Sequence, residues 1–183
     1  NLDYFEQMMK IASDNGIPNV ATECGFIPGS RGVNADEYEE RYQRVFDSFR
    51  WLLDRAEDLG VNVALEPCVL DVVPSAKRTN DFIHQLGSAR TKVLLDPANL
   101  IANSSEADMF KYLSDHVAYF HGKDRKVNDK GGRVVGDGEV NWPLFLSLYH
   151  RLNEGVPFIF EYVSIDNFRE IRDRLVAFDK MSR

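Results

Sequence analysis

Only two cysteines, Cys24 and Cys68, occur in the 183 residues, so no disulfide framework is available and a pair of reduced thiols is expected. Basic residues are outnumbered. The 22 Lys and Arg against 29 Asp and Glu give a formal net charge of −7, which argues against a surface built to follow a nucleic-acid backbone. No apolar run approaches the roughly 18 residues of a membrane span, and no signal peptide is recognisable. Low-complexity tracts, linkers and charge blocks are also missing, so residues 1–183 read as a single domain. These absences direct the reading to a soluble, cytoplasmic protein with no nucleic-acid or membrane partner. Asn103-Ser104-Ser105 matches a glycosylation sequon, which without a secretion signal is taken as chance. The chain starts with Asn1, inside a helical pattern, so it is expected to begin partway into a longer protein.

What is present is an ordinary globular composition, 44% hydrophobic and 28% charged, at a length that can bury one core. One theme repeats along it. A segment of helical period is followed by a turn and a short, mostly apolar run. The helical segments are residues 3–15, about 36–59, the stretch TNDFIHQL with Thr79 as N-cap, SSEADMFKYLSD with Ser104 or Ser105 as cap, about 142–153, and 167–180. Gly60 and Gly87 stand where C-cap glycines are expected. Between them lie the apolar runs IPNVATECG, VNVALEP, KVLLDPANL, VAYFHGKD and PFIFEYV. Strands that alternate with helices predict right-handed βαβ units and an α/β parallel sheet. Apolar runs without a polar face fit strands covered on both sides.

Four of these runs end in a side chain able to bind a metal: Glu66, Asp96, His121 and Glu161. The intervals are 30, 25 and 40 residues, about one βα unit each. In a closed parallel barrel the carboxyl ends of all strands meet on one face, where active sites form. Taken singly, each residue has a plainer reading. A strand-end carboxylate is commonly solvated or caps a helix, Asp96 before Pro97 suits a turn, and a lone histidine is commonly a satisfied core residue. The set of four carries the site reading. Three carboxylates and one imidazole suit a hard divalent cation, Mn²⁺, Co²⁺ or Mg²⁺, with Zn²⁺ as a further choice. Glu23 ends the first run without further support as a ligand.

Lys123 alternates with His121 and would point to the same side, toward a substrate oxygen or a neighbouring carboxylate. Arg125 and Arg133 are candidates for an anionic substrate group. Asp124 is expected to orient Lys123 or a loop. The glycine-rich stretch GGRVVGDG lacks the strand and helix context of a dinucleotide site and reads as a mobile loop at the mouth. Trp142 is expected to pack at a helix start, with an aromatic wall for a sugar as the other reading. Cys24 and Cys68 read as buried small residues rather than nucleophiles.

The motifs NVALEP, LLDPANL, FHGKDRK, GDGEVNWPLF and FIFEYV occur in the order seen in sugar phosphate isomerases and epimerases. The chain thus resembles the xylose isomerase-like TIM-barrel superfamily, which includes ketose 3-epimerases, inosose dehydratases and endonuclease IV. The resemblance implies a (β/α)8 barrel, with strands five to eight giving a Glu, an Asp, a His and a Glu to one divalent metal. Matched motif by motif, these are Glu66, Asp96, His121 and Glu161, and Glu66 and Glu161 would also be the acid/base pair. Asn99 stands where the epimerases and the endonuclease place a histidine. Its expected role is a hydrogen bond to substrate or to a ligating group.

Length departs from the pattern, because a full barrel needs eight strands and about 250 residues. Five strands are legible, matching strands four to eight, so this chain is expected to be the C-terminal portion of a barrel. Its open edges point to a homo-oligomer or to completion by a missing N-terminal segment. An open doubly wound sheet is the other architecture. The function expected is a metal-dependent isomerase or epimerase of a sugar, sugar phosphate or polyol. An inosose-type dehydratase on the same site and a non-catalytic barrel fragment are the alternatives. An abasic-site endonuclease fits poorly, since of His84, His116, His121 and His150 only His121 ends a strand.

Overall fold

The computed structural model describes residues 2–27, 33–129 and 131–183. Five parallel strands run in chain order: β1 (Asn19–Glu23), β2 (Asn62–Glu66), β3 (Thr91–Leu95), β4 (Val117–Gly122) and β5 (Phe158–Phe160). The unbroken order means that every crossover steps the same way, giving a curled half-barrel and not the reversing order of a doubly wound sheet. Helices α1 (Leu2–Asp14), α2 (Ala35–Leu59), α3 (Ala76–Leu86), α4 (Pro97–Leu100), α5 (Glu106–Leu113), α6 (Trp142–Leu152) and α7 (Phe168–Ser182) intervene, and a single 3₁₀ turn, Ser114–His116, precedes β4. None of the described helices is long and apolar enough to cross a membrane.

Local sequence explains most boundaries. Asn34 and Glu37 form a capping box at the start of α2, and Gly60 and Gly87 end α2 and α3 in the left-handed conformation. Ser105 caps α5 as anticipated. Thr79, expected to cap α3, lies inside it. Ser75 is the cap, and Thr79 Oγ1 donates to the Ser75 carbonyl, a bond that satisfies a buried hydroxyl. The TNDFIHQL stretch therefore joins a helix already begun one turn earlier.

Alternation divides each strand. Val63, Leu65, Val93, Leu95 and Phe120 face the helices and join one core. Phe82 of α3 meets Phe46 and Phe49 of α2 edge to face, and Phe110, Phe120, Phe145 and Phe158 form a second aromatic group. The opposite face carries Ala64, Leu94, Tyr119 and His121. Between β3 and β4 the register shifts. Val93 pairs with Val117, but Leu94 pairs with Tyr119, so one extra residue of β4 is taken up there. The shift sets the face and the height at which His121 emerges.

After β4 the chain folds back on itself. Asp124 is fully buried, and its carboxylate accepts hydrogen bonds from Arg125 N, Gly136 N, Val140 N and Trp142 Nε1. Asp124 and Arg133 also form a short antiparallel bridge. Gly138 presses on this knot, where a Cβ would stand 2.1 Å from Asp124 Oδ1, so no other residue fits. The glycine-rich segment expected to be a mobile loop is thus tied down by one carboxylate, and Asp124 orients the loop rather than Lys123. Trp142 is buried against Phe145 and serves this packing, not a sugar wall. Replacing Asp124 by Ala leaves four donors without an acceptor. The expected loss is about 3–5 kcal/mol of unfolding free energy, with a smaller loss in Asp124→Asn, measured by urea denaturation.

Candidate metal centre and cleft

The carboxyl ends of the strands do bring together the four predicted groups. His121 Nδ1 lies 3.1 Å from Glu66 Oε1, 3.6 Å from Glu161 Oε1 and 3.8 Å from Asp96 Oδ2. One ligand atom each from Glu66, Asp96 and His121 fall within 4.8 Å of one another, and among the described residues no other such cluster occurs. Glu161, the first residue past β5, is not part of this group.

Each side chain is aimed by its neighbours. Asp96 is fully buried and N-caps α4: its Oδ1 accepts from Ala98 N at 2.9 Å and Asn99 N at 3.3 Å. That leaves Oδ2 buried and turned toward the cluster. Lys123 Nζ stands 2.6 Å from it and 2.9 Å from Glu161 Oε2, so one ammonium bridges the two carboxylates. Asn99 Nδ2 donates to Glu66 Oε1 at 3.1 Å, so Asn99 orients a cluster member. Burial works against the imidazolium of His121, but the carboxylates of Asp96 and Glu66 outweigh it and hold the pKa up to about 9. Burial likewise opposes the Lys123 charge, and Asp96 and Glu161 raise its pKa despite that.

Above the cluster opens a cleft of about 640 Å³, lined by Glu66, Asn99, Lys123, Arg125 and Glu161. Arg125 Nε is buried without a partner. Arg133 is not at the cleft and pairs with Asp129 at 2.6 Å. The lining also includes Glu23, Phe26, Cys68, Asp71 and Tyr162. Asp71 lies in an irregular loop and Phe26 past a strand end, so no periodic signal marks either. Tyr162 follows Glu161, and strand alternation would send it away from the cleft. Its positive φ of 59° turns it back.

A family model for the xylose isomerase-like TIM barrel matches residues 1–178. The chain belongs to this family. Among solved structures it is similar to a xylose isomerase domain protein from Planctomyces limnophilus, at 22% identity and TM-score 0.77, covering 98% of this chain and 64% of that one. It is also similar to a D-tagatose 3-epimerase-like protein, at 16% identity and TM-score 0.83, covering 99% and 69%. A third similar structure is an IolI protein with a bound zinc atom, at 16% identity and TM-score 0.74, covering 98% and 66%. The chain therefore spans about two thirds of the length of these barrels. No curated protein sequence matches it.

The donor set fits a divalent metal ion. Asp96 offers a buried carboxylate oxygen, the His121 imidazole nitrogen faces it, and Glu66 adds a second carboxylate oxygen within reach. The cysteines take no part. Burial pushes the Cys24 and Cys68 thiols up, away from the reactive thiolate.

Asp71 has a different character. It is 3% exposed, and its Oδ2 accepts from Cys24 N and Cys68 N. Burial raises its pKa from 3.8 to about 6, against the lowering effect of those two bonds. A carboxyl raised by folding stabilises the fold fully below its unfolded pKa, and that contribution is lost as pH rises through about 6. Asn at this position keeps an acceptor for both N–H groups and carries no charge. With chelator present, Asp71→Asn should match wild type near pH 4. Above pH 7 it should exceed wild type by about 2–3 kcal/mol, read from urea unfolding at each pH.

Proposed function

We propose that this chain is the site-bearing part of a divalent-metal-dependent isomerase or epimerase acting on a small sugar or polyol in the cytoplasm. The observation that carries the reading is the convergence of Glu66, Asp96 and His121 beneath a polar cleft, with Glu161 at its edge. Glu66, Asp96, His121 and Glu161 would hold Mn²⁺, Co²⁺, Mg²⁺ or Zn²⁺. A divalent cation supplies Lewis-acid stabilisation for charge that develops on substrate oxygens when a proton leaves carbon next to a carbonyl.

The remaining chemistry belongs to side chains. Glu66 at the end of β2 and Glu161 just past β5 would be the two carboxylates that remove a proton from carbon and return one. Return to the opposite face is epimerisation, and return to the neighbouring carbon is aldose–ketose isomerisation. Asn99 holds Glu66 in place. Lys123 tethers Asp96 and Glu161 and offers an ammonium donor to a substrate oxygen. Arg125 lines the cleft, where its guanidinium would bind a substrate oxygen or anionic group. Loss of a β-hydroxyl from the same intermediate would give an inosose-type dehydratase, and product analysis separates the two. The five βα units are read as strands four to eight of the barrel. The unpaired edges of β1 and β5 would be closed by a preceding segment, or covered by association with a second copy.

Plasma mass spectrometry tests the centre directly. Wild type should hold about one divalent ion per chain after manganese loading, His121→Ala and Asp96→Asn should hold almost none, and Glu161→Gln should hold less than wild type. Absence of metal in reloaded wild type would refute the assembled centre. In active protein, Glu66→Gln and Glu161→Gln should each lower kcat by about 10²–10⁴-fold.

A further inference from the structure

Tyr162 is the one non-glycine residue with a positive φ among the described residues, at 59°. An aromatic side chain is disfavoured in this backbone region, and such outliers persist where surrounding structure holds them. Burial does not hold Tyr162, which is 60% exposed. Two other contacts do. Its phenol end rests on Gly132, where a Cβ would stand 2.4 Å from Cε2, 2.5 Å from Cζ and 2.7 Å from the hydroxyl oxygen. Lys123 Nζ lies 6.0 Å from the ring centroid, and that ammonium is itself fixed by Asp96 and Glu161. A large, wet, apolar ring is thus kept in an unfavourable conformation at the wall of the cleft, directly after Glu161.

We infer that Tyr162 is the aromatic wall that receives the C–H face of the substrate, and that Gly132 exists to let the ring lie there. This rests on the reading of the cleft as a sugar site. The C–H face of a sugar is weakly apolar and suits the electron-rich face of an aromatic ring. The opposite, polar side of the same substrate would then face Glu66, Lys123 and Glu161. Tyr162 is a specificity residue in this arrangement, because it contacts carbons that do not react.

The structural alternative is that the ring is only a strut for the glycine-rich segment, and two substitutions separate the readings. Asn accepts left-handed backbone, so Tyr162→Asn releases strain. The melting temperature should hold or rise by up to about 4 °C. Gly132→Ala is compatible with the backbone there, since its φ is not positive, and it displaces only the far end of an exposed ring. Binding is read by saturation-transfer NMR with D-tagatose and D-fructose on manganese-loaded protein. Tyr162→Phe should bind as wild type does, whereas Tyr162→Asn and Gly132→Ala should both weaken binding about three- to tenfold. A fall of several degrees in Tyr162→Asn would establish the strut and overturn the inference. Unchanged binding in Tyr162→Asn and Gly132→Ala would overturn it while leaving the sugar-site reading intact. Wild type that binds neither sugar would remove that reading, and this inference with it.

Discussion

A buried carboxylate that must be met by positive charge is the constraint on which the site turns. Asp96 cannot leave its position, because its other oxygen caps the short helix α4 and the backbone there is buried. The remaining oxygen, Oδ2, is buried and therefore demands positive charge. Lys123 meets part of that demand, and His121 is held toward its protonated form by the same field. Every other member of the centre is arranged around this demand: Glu66 through Asn99, Glu161 through Lys123. A divalent ion entering here would meet the same excess of negative charge, and would compete with an ammonium and an imidazolium already drawn to it.

Geometry at this point depends on packing some distance away. The extra residue absorbed between β3 and β4 decides which face His121 occupies, because a strand displaced by one residue turns every side chain over. Asp124, with four donors on one carboxylate, pins the segment that carries Gly132, and Gly132 in turn is the floor on which Tyr162 rests. A chain of polar and steric contacts thus links the knot after β4 to the wall of the cleft. The family's barrel provides the frame, while these contacts give the cleft its own shape.

Much of this was legible in the residues. Alternating helical and apolar segments identify the five βα units, and the ends of four apolar runs identify Glu66, Asp96, His121 and Glu161, because a strand's end is written locally in its composition. Caps were less certain. Ser75 and Thr79 both suit an N-cap, and only the packing of Ala76 and Thr79 into the core shows that the helix starts at the first. Asp71 and Phe26 left no trace, since irregular backbone has no period to read. Tyr162 escapes the pattern for the opposite reason, since strand alternation points it away and a single dihedral angle reverses that.

By itself, then, the sequence determined the order of elements, the parallel α/β class and which ionisable groups stand at strand ends, all of which follow from short-range pattern. Only the tertiary structure decided that three of those groups meet within 4.8 Å while Glu161 stays at the edge, and that Lys123 lies between Asp96 and Glu161. It also decided that Trp142 belongs to the core and Tyr162 to the cleft. Such choices depend on register, bulges and the burial of single polar atoms, which are settled between segments distant in the chain and leave no mark on the spacing of residues within any one of them.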